Sequence, residues 1–180
     1  MKDRKLLNIE LGRVNAEQYK ELPDSGIVVV LDNIRSAHNV GSAFRSSDAF
    51  KIDKIWLCGI SAVPPSAEIH KSALGAEFSV DWEHSDETLP VIENLKAEGY
   101  VIVSVEQTEH SKSLKDFIPQ ADKKYALIFG NEVDGVDQKA VDASDFSLEI
   151  PQFGTKHSLN VSVSIGVVLW HLRLTDPKFR

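Results

Sequence analysis

At 180 residues the chain has the size of one domain and is long enough to bury a continuous core. With 42% hydrophobic and 26% charged residues it has the balance of a folded globular protein, which excludes a disordered chain, and no apolar run is long enough to span a bilayer. The formal net charge of -7 weighs against a strongly basic nucleic-acid binder but leaves room for a local basic patch.

The opening MKDRKLLNIE carries basic residues with no apolar stretch after them, which argues against a secretory leader. Residues 1–25 read as a short N-terminal extension and 26–175 as one domain. Apolar, β-branched runs predict buried strands at Ile27 to Leu31, Ile55 to Gly59, Val101 to Val105, Ala126 to Phe129 and Phe146 to Ile150. Between the first two, Ser36 is placed to cap a helix with Val40, Ala43 and Phe44 on one side. The stretch Thr88 to Glu98 sets Leu89, Ile92 and Leu95 at helical spacing, and Gly99 stands where a left-handed cap belongs. Ser158 is read as the cap of a last helix through Val161, Ile165, Val168 and Leu172. Strands that are apolar throughout and alternate with helices indicate an α/β fold, a parallel sheet covered on both faces. In such sheets ligands sit beyond the carboxyl ends of strands. The single cysteine, Cys58, lies in an apolar run and reads as a buried strand thiol, which fits a reducing cytoplasmic setting.

Three strand-end segments carry polar residues out of keeping with their surroundings. The first, LDNIRSAHNVGSAFRSSDAF, groups Asn33, Arg35, His38, Asn39 and Arg45 around a helix start suited to anions. The same residues also suit a capped amphipathic helix with a solvated arginine. The second, ALIFGNEVDGV, delivers a strand into Gly130, Asn131 and Glu132. A glycine there admits close approach of a ligand or serves a turn. The third, LEIPQFGTKHSLNVSVSIGVVLW, stops a strand at Pro151 and leads through Gly154 and Ser158 into the last helix. Asn160 is expected in the first turn of that helix, a poor place for a weak helix former unless it has another task. No histidine or cysteine spacing suits a metal site, and no G-x-S-x-G elbow points to a serine hydrolase.

In this order the three segments resemble motifs one, two and three of the SpoU (TrmH-like) family of RNA ribose 2'-O-methyltransferases, within the SPOUT superfamily. The similarity runs from about Ile27 to Leu172, and IPQFGTKHSLNVSVSIG is its most specific part. It implies a deep trefoil knot in the C-terminal part of the sheet, an obligate homodimer with active sites completed across the interface, and S-adenosylmethionine as methyl donor. The apolar last helix is the expected dimer face. The cofactor pocket falls on main-chain groups around Val105, Gly130, Ile150 and Leu159. The catalytic arginine falls on Arg45, and the other polar site residues on Asn39, Glu132, Ser158 and Asn160.

Arg45 is then expected either to act as a strongly perturbed base on the ribose hydroxyl, or to remain cationic and stabilise the oxyanion. The implied substrate is structured RNA, transfer RNA first and ribosomal RNA second, with no membrane involved. Affinity for it is expected from groups such as Arg35, Lys51, Lys71, Lys156 and His157, since only a short tail, LTDPKFR, follows the last helix. Two other readings remain: a noncatalytic RNA-binding protein with the same fold, and an unrelated α/β nucleotide-binding enzyme.

Overall fold

The apolar runs form the strands of one sheet in the computed structural model, which describes residues 3–176; the end of the C-terminal tail lies outside the described residues. Strands β1 (Ile27–Asp32), β2 (Lys54–Cys58), β3 (Asp81–Ser85), β4 (Tyr100–Val105), β5 (Lys112–Ser113), β6 (Lys124–Gly130) and β7 (Phe146–Glu149) pair in the order β3-β2-β1-β6-β4-β7-β5. Every pairing is parallel, so all carboxyl ends open on one edge.

Strand β1 shows why both faces are apolar. Ile27, Val29 and Leu31 enter one core and Val28 and Val30 the other, since successive side chains point to opposite faces. The first core is filled by helices α2 (Ala37–Ala49) and α7 (Val161–Thr175), the second by α5 (Thr88–Ala97) and α6 (Gln138–Ala143). Val40, Ala43 and Phe44 of α2 are fully buried as their spacing predicts. Burying a side chain of that kind contributes about 1.5–3 kcal/mol for the larger ones. Ser36 caps α2, its side chain accepting from Asn39 N at 3.3 Å. Gly99 takes a φ of +84° after α5, the left-handed turn expected of it.

Several expectations shift by a residue or fail outright. Gly59 and Ile150 lie just beyond strands β2 and β7; Gly59 turns with a φ of +61°. Strand β3, sequence DWEHS, is missed by an apolar-run criterion because it is a polar edge strand, mostly exposed. The cap of α7 is Asn160, not Ser158: Asn160 Oδ1 accepts from Ser162 N at 2.9 Å, and the helix begins at Val161. Asn160 therefore stands outside the first turn, where asparagine is favoured rather than tolerated. The N-terminal segment is docked on the domain through helix α1 (Ala16–Glu21). Its Tyr19 is buried in the first core, and the hydroxyl donates to the Ser47 and Ile52 carbonyls at 3.3 and 3.2 Å.

Gly41 of α2 explains itself through helix α3 (Ala67–Ala73). A methyl at Gly41 would overlap Ser72 Oγ and stand 2.5 Å from the Ile69 carbonyl, so the two helices touch where no side chain fits. Gly41→Ala is expected to lower stability by about 1–3 kcal/mol in urea denaturation, as overpacking does; an unchanged midpoint would show that α3 yields freely. Burial pushes the Cys58 thiol up to about 12. It should resist alkylation at pH 8 in the folded protein and react at once in denaturant.

Candidate active site

Strands β4, β6 and β7 end side by side, and the loops that leave them enclose a cavity of about 430 Å³. Val105, Gly130, Ile150 and Leu159 all line it, as do Glu132, Ser158 and Asn160. Segments far apart in sequence thus meet because their strands are neighbours in a parallel sheet.

Each loop is held by side chains that satisfy its backbone. After β6, Asn131 Oδ1 accepts from Val133 N at 3.0 Å and Asp134 N at 2.9 Å, and Gly135 N donates to the Asn131 carbonyl at 3.0 Å. This folds the GNEVDG turn back on itself, and a methyl at Gly130 would overlap the backbone of Gly135 and Val136. Gly130 is required by close approach of backbone to backbone. Glu106, at the end of β4, accepts from Gln107 N at 2.8 Å and Val136 N at 3.1 Å, joining the β4 and β6 loops. Gln107 Nε2 donates to the His157 carbonyl at 2.9 Å and so ties in the third loop. The sequence motifs do not single out Glu106 and Gln107; their position directly after an apolar strand is the available signal.

Asn39 joins the first motif to the other two. It is buried in the first turn of α2, where its Nδ2 donates to Glu132 Oε1 and its Oδ1 accepts from Asn160 Nδ2 at 3.3 Å. Glu132 and Asn160 line the cavity, so Asn39 braces its mouth from behind.

Arg45 is not brought to this cavity within the chain. It lies exposed on α2 in a separate cleft with His38, Ser42, Phe50, Lys71 and Ser72. Phe50 in turn meets Trp170 of α7 edge to face, with ring centroids 6.1 Å apart. Of the other basic candidates, Arg35, Lys71, Lys156 and His157 are exposed. Lys51 is occupied internally: its ammonium lies 3.8 Å from Asp53 and 4.8 Å from the Tyr19 ring centroid, with the backbone at a φ of +51°. Asn33 serves the β1 turn, its Oδ1 accepting from Ile60 N at 3.2 Å.

Asn160 combines a helix cap with a strut to Asn39, and substitution separates the two. Asn160→Ala should cost about 1 kcal/mol or somewhat more in thermal or urea unfolding, the usual loss for a cap. Asn160→Ser should recover most of it, because a serine oxygen caps as well. Equal losses for both variants would mean that the strut, not the cap, carries the stability.

A sequence model of the SpoU rRNA Methylase family matches residues 26–170. The chain is 31% identical over 147 residues to the 23S rRNA (guanosine(2553)-2'-O)-methyltransferase RlmP of Bacillus subtilis, covering 81% of this chain and 57% of that protein. An AdoMet-bound rRNA methyltransferase from Sinorhizobium meliloti superposes with a TM-score of 0.78 at 25% identity, covering 87% of this chain and 59% of that one. The TrmH/SpoU tRNA modifying enzyme of A. aeolicus superposes with a TM-score of 0.79 over 91% of this chain and 83% of its own; at 23% identity this shows the shared fold. The chain spans about three fifths of the length of the curated relatives it matches. With the family match spanning most of the chain and its second and third motifs meeting at one cavity, the chain belongs to the SpoU rRNA methylase family.

Proposed function

We propose that this protein is a cytoplasmic RNA methyltransferase that uses S-adenosylmethionine to methylate a ribose 2'-hydroxyl of structured RNA, transfer RNA first and ribosomal RNA second. The observation that carries this reading is the cavity at the ends of β4, β6 and β7, closed by the Asn39–Glu132–Asn160 chain. Named relatives that methylate ribose in ribosomal RNA, and a neighbour solved with the same methyl donor, support it.

The lining fits the cofactor. Gly130 lets the loop after β6 fold back on its own backbone at the cavity wall, and Val105, Ile150 and Leu159 offer main-chain groups and apolar walls to an adenosine. When bound, S-adenosylmethionine supplies an electrophilic methyl group on a sulfonium. Glu132 and Asn160, fixed by Asn39, orient the polar mouth of the cavity, and Ser158 adds an exposed hydroxyl on its rim. Arg45 holds a guanidinium that remains charged in ordinary surroundings, so stabilising the ribose oxyanion is the less costly of its two possible roles.

A homodimer accounts for the position of Arg45. Helix α7 buries Ile165, Val168, Leu169 and Leu172, yet also exposes Val163, Val167, Trp170 and Leu174 at helical spacing. A second copy seated on this outer stripe would cover it and approach the Arg45 cleft through Phe50 and Trp170. The knot implied by the family belongs to the same proposal; β7 lies between β4 and β5, and Gln107 holds the loop that follows it.

Calorimetry with S-adenosylmethionine should show saturable binding by the whole protein and none by Gly130→Ala. Absence of heat from the wild type at millimolar cofactor would remove the enzymatic reading and favour a noncatalytic RNA binder. Arg45→Ala and Asn39→Ala should each cut turnover by at least about tenfold, within the range of a positioned catalytic group. Arg45→Ala should leave cofactor affinity intact, and wild-type turnover in it would remove its role. Mass-spectrometric mapping of ribose methylation in cells with and without the gene names the RNA.

A further inference from the structure

A second cavity, of about 530 Å³, lies away from the first, between α3, helix α4 (Ala76–Ser79) and edge strand β3. Pro64, Pro65, Ile69, Phe78 and Trp82 give it apolar and aromatic walls. Set among them is a carboxylate. The Glu77 side chain is only 5% exposed; His70 Nδ1 stands 2.5 Å from its Oε1, and its Oε2 is buried with no hydrogen-bond partner among the described residues. An acceptor kept out of water without a donor is costly, and such atoms in folded proteins ask for a reason.

We propose that this cavity takes an unpaired nucleobase of the RNA substrate, a guanine by preference, with Glu77 as the acceptor that reads it. The inference rests on the RNA-modifying reading above and deepens it. A planar base suits a slot with Trp82 on one wall and Phe78, 65% exposed, at its entrance. Guanine alone among the common bases presents two adjacent N–H donors, N1 and N2, one for the unpartnered Oε2 and the other for the second lone pair of Oε1, which His70 already engages. Uracil offers one N–H between two carbonyls that a carboxylate repels; adenine and cytosine set an acceptor beside their amino group.

Position supports nucleic acid over a protein ligand. Helix α3 directs Ile69 and His70 to this cavity and Lys71 and Ser72 to the cleft that holds Arg45. An RNA strand lying over Arg45 therefore has a neighbouring nucleotide within reach of Glu77, with Lys71 available to a phosphate between them.

The test uses the full-length protein with its three tryptophans labelled with nitrogen-15, the Trp82 indole being assigned by Trp82→Phe. Guanosine, adenosine and uridine 5'-monophosphates are titrated separately. Guanosine monophosphate should shift the Trp82 indole saturably and at least about tenfold more tightly than uridine monophosphate, the difference expected for a charge-assisted hydrogen bond. Glu77→Gln should abolish that preference while leaving S-adenosylmethionine binding unchanged. Phe78→Ala, at an exposed position, should weaken all three nucleotides and guards against a fold defect in the first variant. No Trp82 shift at millimolar nucleotide, or equal shifts that survive Glu77→Gln, would overturn the proposal, the latter marking a general apolar surface suited to a protein partner. If the cofactor binds and the guanine preference is missing, the base pocket fails and the methyltransferase reading stands. Guanine preference without cofactor binding would instead uphold the base pocket and remove the methyltransferase reading.

Discussion

A buried amide cannot be left half satisfied, and Asn39 turns that constraint into the geometry of the site. Its side chain is 7% exposed and sits in the first turn of α2, with Glu132 as acceptor on one side and Asn160 as donor on the other. Glu132 belongs to the loop after β6 and Asn160 to the cap of α7, so one side chain sets the spacing of three segments. The bonds are mutually dependent. Glu132 and Asn160 are exposed and Asn39 is buried, so loss of either partner leaves the Asn39 amide half satisfied, where an unpaired buried polar group costs more than a formed bond contributes.

The parallel sheet makes that convergence possible. Neighbouring strands that run the same way deliver their following loops to the same edge, however far apart they are in sequence. The order β6-β4-β7 places the loops that follow these strands around one cavity. Helix α7 then closes the first core and at the same time offers a second apolar stripe outward. A helix apolar on two sides has more to bury than one domain supplies, which is why the proposed homodimer and the remote Arg45 belong to the same question.

Some of the acidic residues are engaged by the protein's own backbone amides. Asp32, 1% exposed, accepts from Thr88 Oγ1 at 2.5 Å and from Asp137 N at 2.9 Å, fastening the starts of α5 and α6 to the end of β1. Asp53 accepts from Ser25 N and Gly26 N at 2.7 and 2.8 Å, and Asp145 from Ile102 N at 2.7 Å. Glu106 does the same for the β4 and β6 loops. Asp32, Asp53 and Asp145 organise turns rather than face a ligand, whereas Glu106 also lines the cavity. Net charge in any case describes the whole chain and not a local patch.

The sequence by itself determined the strands β1, β2, β4, β6 and β7, the helices α2, α5 and α7, and the parallel α/β class, because these follow from hydrophobic period and local capping. It also named Val105, Gly130, Glu132, Ile150, Ser158, Leu159 and Asn160 of the cavity lining, which end an apolar strand or stand in a family motif, but not Glu106 or Gln107. Polar edge strand β3 and the choice of Asn160 over Ser158 as cap escaped it. An edge strand needs no apolar run, and both candidate caps precede the same helix. Only the tertiary structure decided that Asn39 bridges Glu132 and Asn160, that Lys51 is engaged with Asp53 and Tyr19, and that Arg45 stands apart from the cavity within the chain. Those are contacts between residues dozens of positions apart, or across a short turn of unusual φ. Strand order and helix packing set such distances, and local sequence carries no record of them.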